Sequence, residues 1–191
     1  MKKLRTICLA AGCLLLIGGG LLMLLWQWNI STAGRQAAQY VQTLTGLIPE
    51  ARSFLPEERA NNTMPVLALD GADFIGLLEL PKYGSVLPVC DQWGRPDRYP
   101  CRFSGSLYDR TLVIGATSQR GQYDFYREIS VGDQIWFTDV TGRRCSFTVG
   151  DLRYANHADQ ATLTGREADL VIFIKNVYAL EYIILYCHLP T

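Results

Sequence analysis

The chain has 191 residues, 49% of them hydrophobic, enough for one membrane segment and one globular domain with a real core but hardly for two domains. Lysine and arginine equal aspartate and glutamate at 18 each, so there is neither a basic field to hold a nucleic-acid backbone nor an acidic surface calling for basic partners. Nucleic acid is excluded as a partner class.

In chain order, residues 1–28 come first. Lys2, Lys3 and Arg5 precede an uncharged apolar run ending at Trp26 and Trp28, long enough to cross a hydrocarbon layer roughly 30 Å thick as a helix. Basic residues on the N-terminal side and tryptophans at the far end predict a single-pass signal anchor, tail inside and domain outside. Cys8 and Cys13 fall within that run and read as small apolar side chains. Residues 29–70 follow as a juxtamembrane helix and linker. Ser31 or Thr32 is the expected N-cap, and Ala37, Ala38, Val41, Leu44 and Leu47 make one helical stripe. Periodicity then fades among Pro49, Pro56 and Pro65, which predicts a surface-running linker up to the domain start near Gly71.

Residues 71–191 read as strands. "DFIGLLEL", "SVLPVC", "TLVIGA", "DQIWFTDV", "RRCSFTVGDL", "DLVIFIKN" and "EYIILYC" are β-branched or aromatic runs bounded by Gly, Asp and Pro. Thr141-Gly142 predicts a tight hairpin between two of them. "QYDFYREI" is the one convincing short helix. The fold class is therefore mostly β, a closed barrel with one or two short helices behind an N-terminal transmembrane helix.

"FIGLLELPKYGSVLPV", "YPCRFSGSLYDRTLVIG", "VGDQIWFTD" and "DLVIFI", in this order and at these spacings, resemble the sortase family, especially class B and related clostridial-type members. The resemblance covers roughly residues 72 to 187. It implies a sortase-like barrel and a cell-surface cysteine transpeptidase of Gram-positive bacteria acting on LPxTG-like sorting motifs. That chemistry takes a cysteine thiolate, a histidine and an arginine converging on one scissile bond.

The resemblance puts the histidine at Thr117, in "GATS", the cysteine at Lys175 and the arginine at Tyr182. No cysteine lies between Cys145 and Cys187, and no histidine or arginine between Arg166 and His188, so no small slip restores the set. The expectation is a pseudo-sortase that binds a sorting-motif peptide, a pilin or an active sortase near Thr117, Lys175, Tyr182 and Glu181. The alternative is an enzyme with a relocated site drawn from Lys175, Glu181, Tyr182, His157 and Cys187. No cofactor is implied, and His157 and His188, far apart and without paired cysteines, give no metal-ligand spacing. Cys90 and Cys101 flank "DQWGRPDRYP" and are either core thiols or a disulfide closing that loop. Cys145 and Cys187 alternate with apolar residues as buried thiols do.

Overall fold

The computed structural model describes residues 2–54, 63–94, 96–118, 123, 125–164, 168–176, 179 and 181–190, with the backbone alone for residues 2–11, 26, 29–33, 160 and 161. Its first element is one unbroken helix, α1 (Lys2–Leu47). The apolar run and the juxtamembrane stripe thus join into a single rod instead of restarting at Ser31 or Thr32. No proline interrupts residues 2–47, and a continuous helix avoids leaving orphaned backbone groups at an internal end. No helix among the described residues is long and apolar enough to cross a membrane. The side chains of residues 2–11, which hold the basic residues and the start of the apolar run, lie outside the described set. From Leu14 to Leu25 the large apolar side chains are exposed, Leu15 and Leu16 at 78% each.

The C-terminal turns of α1 are different: they dock. Ala37 and Leu44 are buried, with Tyr40, Val41 and Ile48 packed beside them against Phe74, Leu77 and Tyr99. The spacing 37, 40, 41, 44, 48 is the face that a 3.6-residue repeat turns to one side. Ala38 and Leu47 of the expected stripe face outward.

Among the described residues ten strands follow: β1 (Arg52–Ser53), β2 (Leu67–Leu69), β3 (Ala72–Leu80), β4 (Ser85–Cys90), β5 (Cys101–Ser104), β6 (Leu112–Thr117), β7 (Gln134–Asp139), β8 (Arg143–Ala155), β9 (Leu170–Lys175) and β10 (Tyr182–His188). Each apolar run read from the sequence is a strand. β1, beside β8, and β2, beside β3, extend the sheet ahead of Gly71. Around the ring the order is β8-β10-β9-β6-β5-β4-β3, and β7 closes it by pairing with both β3 and β8. The result is a closed, mostly β barrel of eight strands. Closure leaves the ring without open edges.

Leu78, Leu87, Ile114, Phe137, Phe147, Ile172 and Leu185 point into the barrel and are almost completely buried. β6 and β9 pair in parallel, and nearly every residue of both is buried, so both of their faces are covered. The inner face meets the core. The outer face, with Val113, Val171 and Phe173, meets the segment after β8, where a short helix α2 (Gln160–Thr164) contributes Leu163.

The hairpin between β7 and β8 forms as the sequence predicts. Gly142 adopts a φ of 83°, and its N–H donates to Asp139 O at 3.0 Å. The helix expected over 122–129 is not seen in the described residues of that stretch. Phe125 to Glu128 form a turn, closed by Tyr126 N–H to Tyr123 O at 3.0 Å and Glu128 N–H to Phe125 O at 2.8 Å. Residues 122 and 124 lie outside the described set. So short a segment gains little from helical hydrogen bonds; its conformation follows from driving Tyr123, Tyr126 and Ile129 into the core.

Candidate functional site

Three adjacent strands define the site. β6 and β9 run parallel with Thr117 and Lys175 as register partners, and β10 runs antiparallel to β9 with Tyr182 as the partner of Lys175. The three residues therefore form one row at one end of the sheet. Backbone bonds fix that end: Ser118 N–H donates to Lys175 O and Asn176 N–H to Glu181 O, both at 2.9 Å. Residues drawn from positions 117, 175 and 182 of the chain meet because of register alone.

Alternation decides which face they occupy. Val113, Phe173 and Tyr186 share their face, outside the barrel, whereas Ala116, Ile174 and Ile183 belong to the interior core. On that outer face lies a cleft of about 230 Å³ lined by Thr117, Lys175, Tyr182, Phe173, Trp93 and Phe103. Thr117 is 7% exposed at its floor, Lys175 is exposed at its mouth and Tyr182 is half-buried.

The wall is aromatic. Trp93, Phe103 and Phe173 stand with ring centroids 5.3 to 5.4 Å apart, two of the three pairs edge-on, and Tyr182 continues the belt 6.4 Å from Phe173. Trp93 comes from the loop between β4 and β5, which also brings Pro96 to the cleft. An ion pair between Arg102 and Asp91, at 2.5 Å, ties that loop to β5 at its root. Sequence reasoning missed this wall. The loop carries a tryptophan and two prolines, a signal that something packs there, but which surface it covers depends on strand register.

Gly115 explains how the wall closes. A Cβ at this position would collide with the Phe173 and Trp93 rings. The glycine in the middle of β6 thus gives the two rings their seat.

Chemically the cleft offers one cation, two hydroxyls and apolar rings. Among its described lining residues there is no cysteine, histidine or arginine. Of the other candidates, Cys187 lies inside the barrel, fully buried, where burial pushes its thiol far above the ordinary range. His157 is exposed on the segment after β8, one residue before the cleft-lining Ala158. Glu181 joins the row through its backbone. Among the described residues no cluster of His, Cys, Asp and Glu is arranged to hold a metal ion.

Cys90 and Cys101 lie on the outer face under α1, apart from the row but at the base of the loop that carries Trp93. They are register partners in the parallel pairing of β4 with β5.

No protein-family model matches the sequence, and none of the curated proteins does. Solved structures do match. Sortase C1 of GBS Pilus Island 1 aligns with a TM-score of 0.53 at 14% identity, over 62% of this chain and 64% of its own, so the chain spans under two thirds of that protein. The type II crystal structure of Streptococcus agalactiae sortase C1 aligns with a TM-score of 0.51 at 15% identity, over 62% of this chain and 68% of that one. The Clostridium perfringens sortase D5 transpeptidase aligns with a TM-score of 0.50 at 14% identity, over 62% of this chain and 80% of that one. The barrel described here has the sortase fold.

Proposed function

We propose that this chain is a membrane-anchored extracellular sortase-fold domain that has lost transpeptidase chemistry. It uses the outer-face cleft to hold an extended sorting-motif-like peptide of a pilin or other surface protein, and so regulates the anchoring of that protein. The observation that carries this reading is the row Thr117–Lys175–Tyr182, which occupies the places where the resemblance puts histidine, cysteine and arginine.

A lysine ammonium at the mouth of an aromatic-walled cleft suits a peptide with apolar side chains and a carboxylate. It does not suit acyl transfer. Attack on a peptide carbonyl needs an activated nucleophile, a proton for the leaving amine and a donor for the oxyanion, and loss of a whole catalytic set costs about a millionfold in rate. Anchoring is supported by Lys2, Lys3 and Arg5 ahead of the apolar run, and by the exposed leucines from Leu14 to Leu25.

The test uses the full chain in detergent micelles with a fluorescent LPxTG-like peptide and an amine acceptor. Fluorescence polarisation is expected to report binding while mass spectrometry finds the peptide intact. Cleaved or transferred peptide sinks the inactive reading, and no binding at millimolar peptide sinks the peptide-groove reading.

A further inference from the structure

We infer that Cys90 and Cys101 are a redox pair, two thiols converted to a cross-strand disulfide that closes the loop bearing Trp93 and Pro96. The inference goes beyond peptide binding and does not depend on it. Three observations carry it. First, the two residues are Cα register partners on neighbouring strands, β4 and β5, a separation that lies within the span a disulfide bridges and with side chains on the same side of the sheet. Second, both side chains belong to one buried cluster, with Phe74 and Tyr99, on the outer face. Third, they stand at the two ends of the segment 91–100, whose Trp93 and Pro96 wall the cleft, and Cys90 N–H already donates to Pro100 O at 2.9 Å to draw those ends together.

The two sulfurs differ in readiness. The neighbouring Cys101 thiol, whose S–H donates to Tyr99 O at 3.4 Å, holds the Cys90 thiol below the ordinary range, helped by the backbone N–H of Gln92 and opposed by burial. Cys90 is the slightly exposed one at 7%, and Cys101 is covered completely. Cys90 is therefore the attacking sulfur and Cys101 the resolving one. In contrast, burial raises the Cys145 thiol to about 12 and Cys187 higher still, and both lie within the barrel core.

The chemistry balances with a low-molecular-weight disulfide as oxidant. The Cys90 thiolate attacks one sulfur of that disulfide, its S–S bond breaks, and one thiolate leaves. The Cys101 thiolate then attacks the Cys90 sulfur of the mixed disulfide and expels the second thiolate. The protein loses two protons and two electrons, and the small disulfide is reduced to two thiols.

The full chain in detergent micelles is incubated with excess oxidised glutathione or with dithiothreitol, then quenched in acid, alkylated in denaturant and mapped by mass spectrometry. After glutathione, the Cys90 and Cys101 peptides are expected to be linked to each other with both alkylatable thiols lost, while Cys145 and Cys187 remain alkylated. The Cys101→Ser variant is expected to retain a glutathione adduct on Cys90. Two alkylated thiols after prolonged oxidation, a stable adduct in the unsubstituted chain, or a link between any other pair overturns the inference. Because the readout on the unsubstituted chain stands alone, misfolding of the variant does not blunt the test.

Discussion

Thr117 and Lys175 face each other as register partners at the ends of two parallel strands, and Tyr182 flanks Lys175 from the other side. The polypeptide joining them differs on each side: a long stretch of barrel separates β6 from β9, and a short hairpin separates β9 from β10. Register brings the three together whatever side chains occupy the positions. A sheet of this kind can therefore change its chemistry completely and keep its shape.

Lys175 supplies the cleft's one cation among the described lining residues. Replacing it with alanine is expected to weaken binding of a carboxylate-bearing peptide about tenfold, near the 1.5 kcal/mol typical of a charge-assisted hydrogen bond, and to remove most of the salt dependence of binding. Since the side chain is exposed, the thermal midpoint should stay within a degree or two, in keeping with surface substitutions. Titrating peptide into both proteins at low and high salt checks this, and equal affinities would remove Lys175 from recognition.

Gly115 has no room for a methyl group because the Trp93 and Phe173 rings lie over it. Gly115→Ala should therefore cost about 1 to 3 kcal/mol, the usual penalty for overpacking, and should displace Trp93 from the cleft wall. Denaturant unfolding measures the first effect, and a red shift of tryptophan emission at unchanged secondary structure reports the second. If the Gly115→Ala variant keeps both its stability and its emission, the ring seat is not as tight as the geometry requires.

Seven of the ten described strands were legible in the sequence because each is a β-branched or aromatic run ended by Gly, Asp or Pro, as in "TLVIGA" or "DLVIFIKN"; β1, β2 and β5 are too short to carry such a run, and β1 and β2 lie in the stretch that reads as linker. The positions Thr117, Lys175 and Tyr182 were legible only through family resemblance; no periodicity connects them. What stayed hidden depended on distance across the sheet. Trp93, Phe103 and Phe173 belong to three separate segments, and nothing local says that they share a wall. The turn at Phe125–Glu128 was misread as a helix because aromatic residues spaced by three suit a helical face and a core-facing turn equally well.

Asp139 is fully buried at the β7–β8 hairpin. One carboxylate oxygen accepts from Thr141 N–H at 2.8 Å, from the Thr141 hydroxyl at 2.7 Å and from Arg143 N–H at 3.0 Å; the other accepts from the Tyr108 hydroxyl at 2.6 Å. Burial first, and then this bond to Asp139, raises the Tyr108 phenol to about 12. Asp139→Ala leaves the Tyr108 hydroxyl and the turn's N–H groups unpartnered, and each buried orphan costs about 1 to 3 kcal/mol. A total loss of about 2 to 4 kcal/mol is expected in urea unfolding on that basis, with a smaller loss for Asp139→Asn, which keeps an acceptor oxygen. A loss below that of an ordinary surface substitution would mean that the turn holds without its carboxylate.

Asp133 gives the barrel a pH dependence of definite sign. Burial works to raise its pKa, but the hydrogen bonds from Lys82 Nζ at 2.8 Å, the Tyr83 hydroxyl at 2.6 Å and Ser130 N–H at 2.9 Å outweigh it and leave the carboxyl below the usual carboxylate range. A folded-state pKa below the unfolded one means that the unfolded chain binds the proton more readily in acid. The stabilisation is therefore complete above the ordinary aspartate range, erodes as pH falls through it, and is gone below the lowered folded value. Lys82 is half-exposed, so solvent screens its share, and the part-buried Tyr83 hydroxyl is the better shielded partner. Asp133→Asn should flatten the acid limb of a plot of unfolding midpoint against pH while leaving its shape near neutrality unchanged. An acid limb identical in both proteins would assign the loss of stability to other carboxylates and remove Asp133 from the linkage.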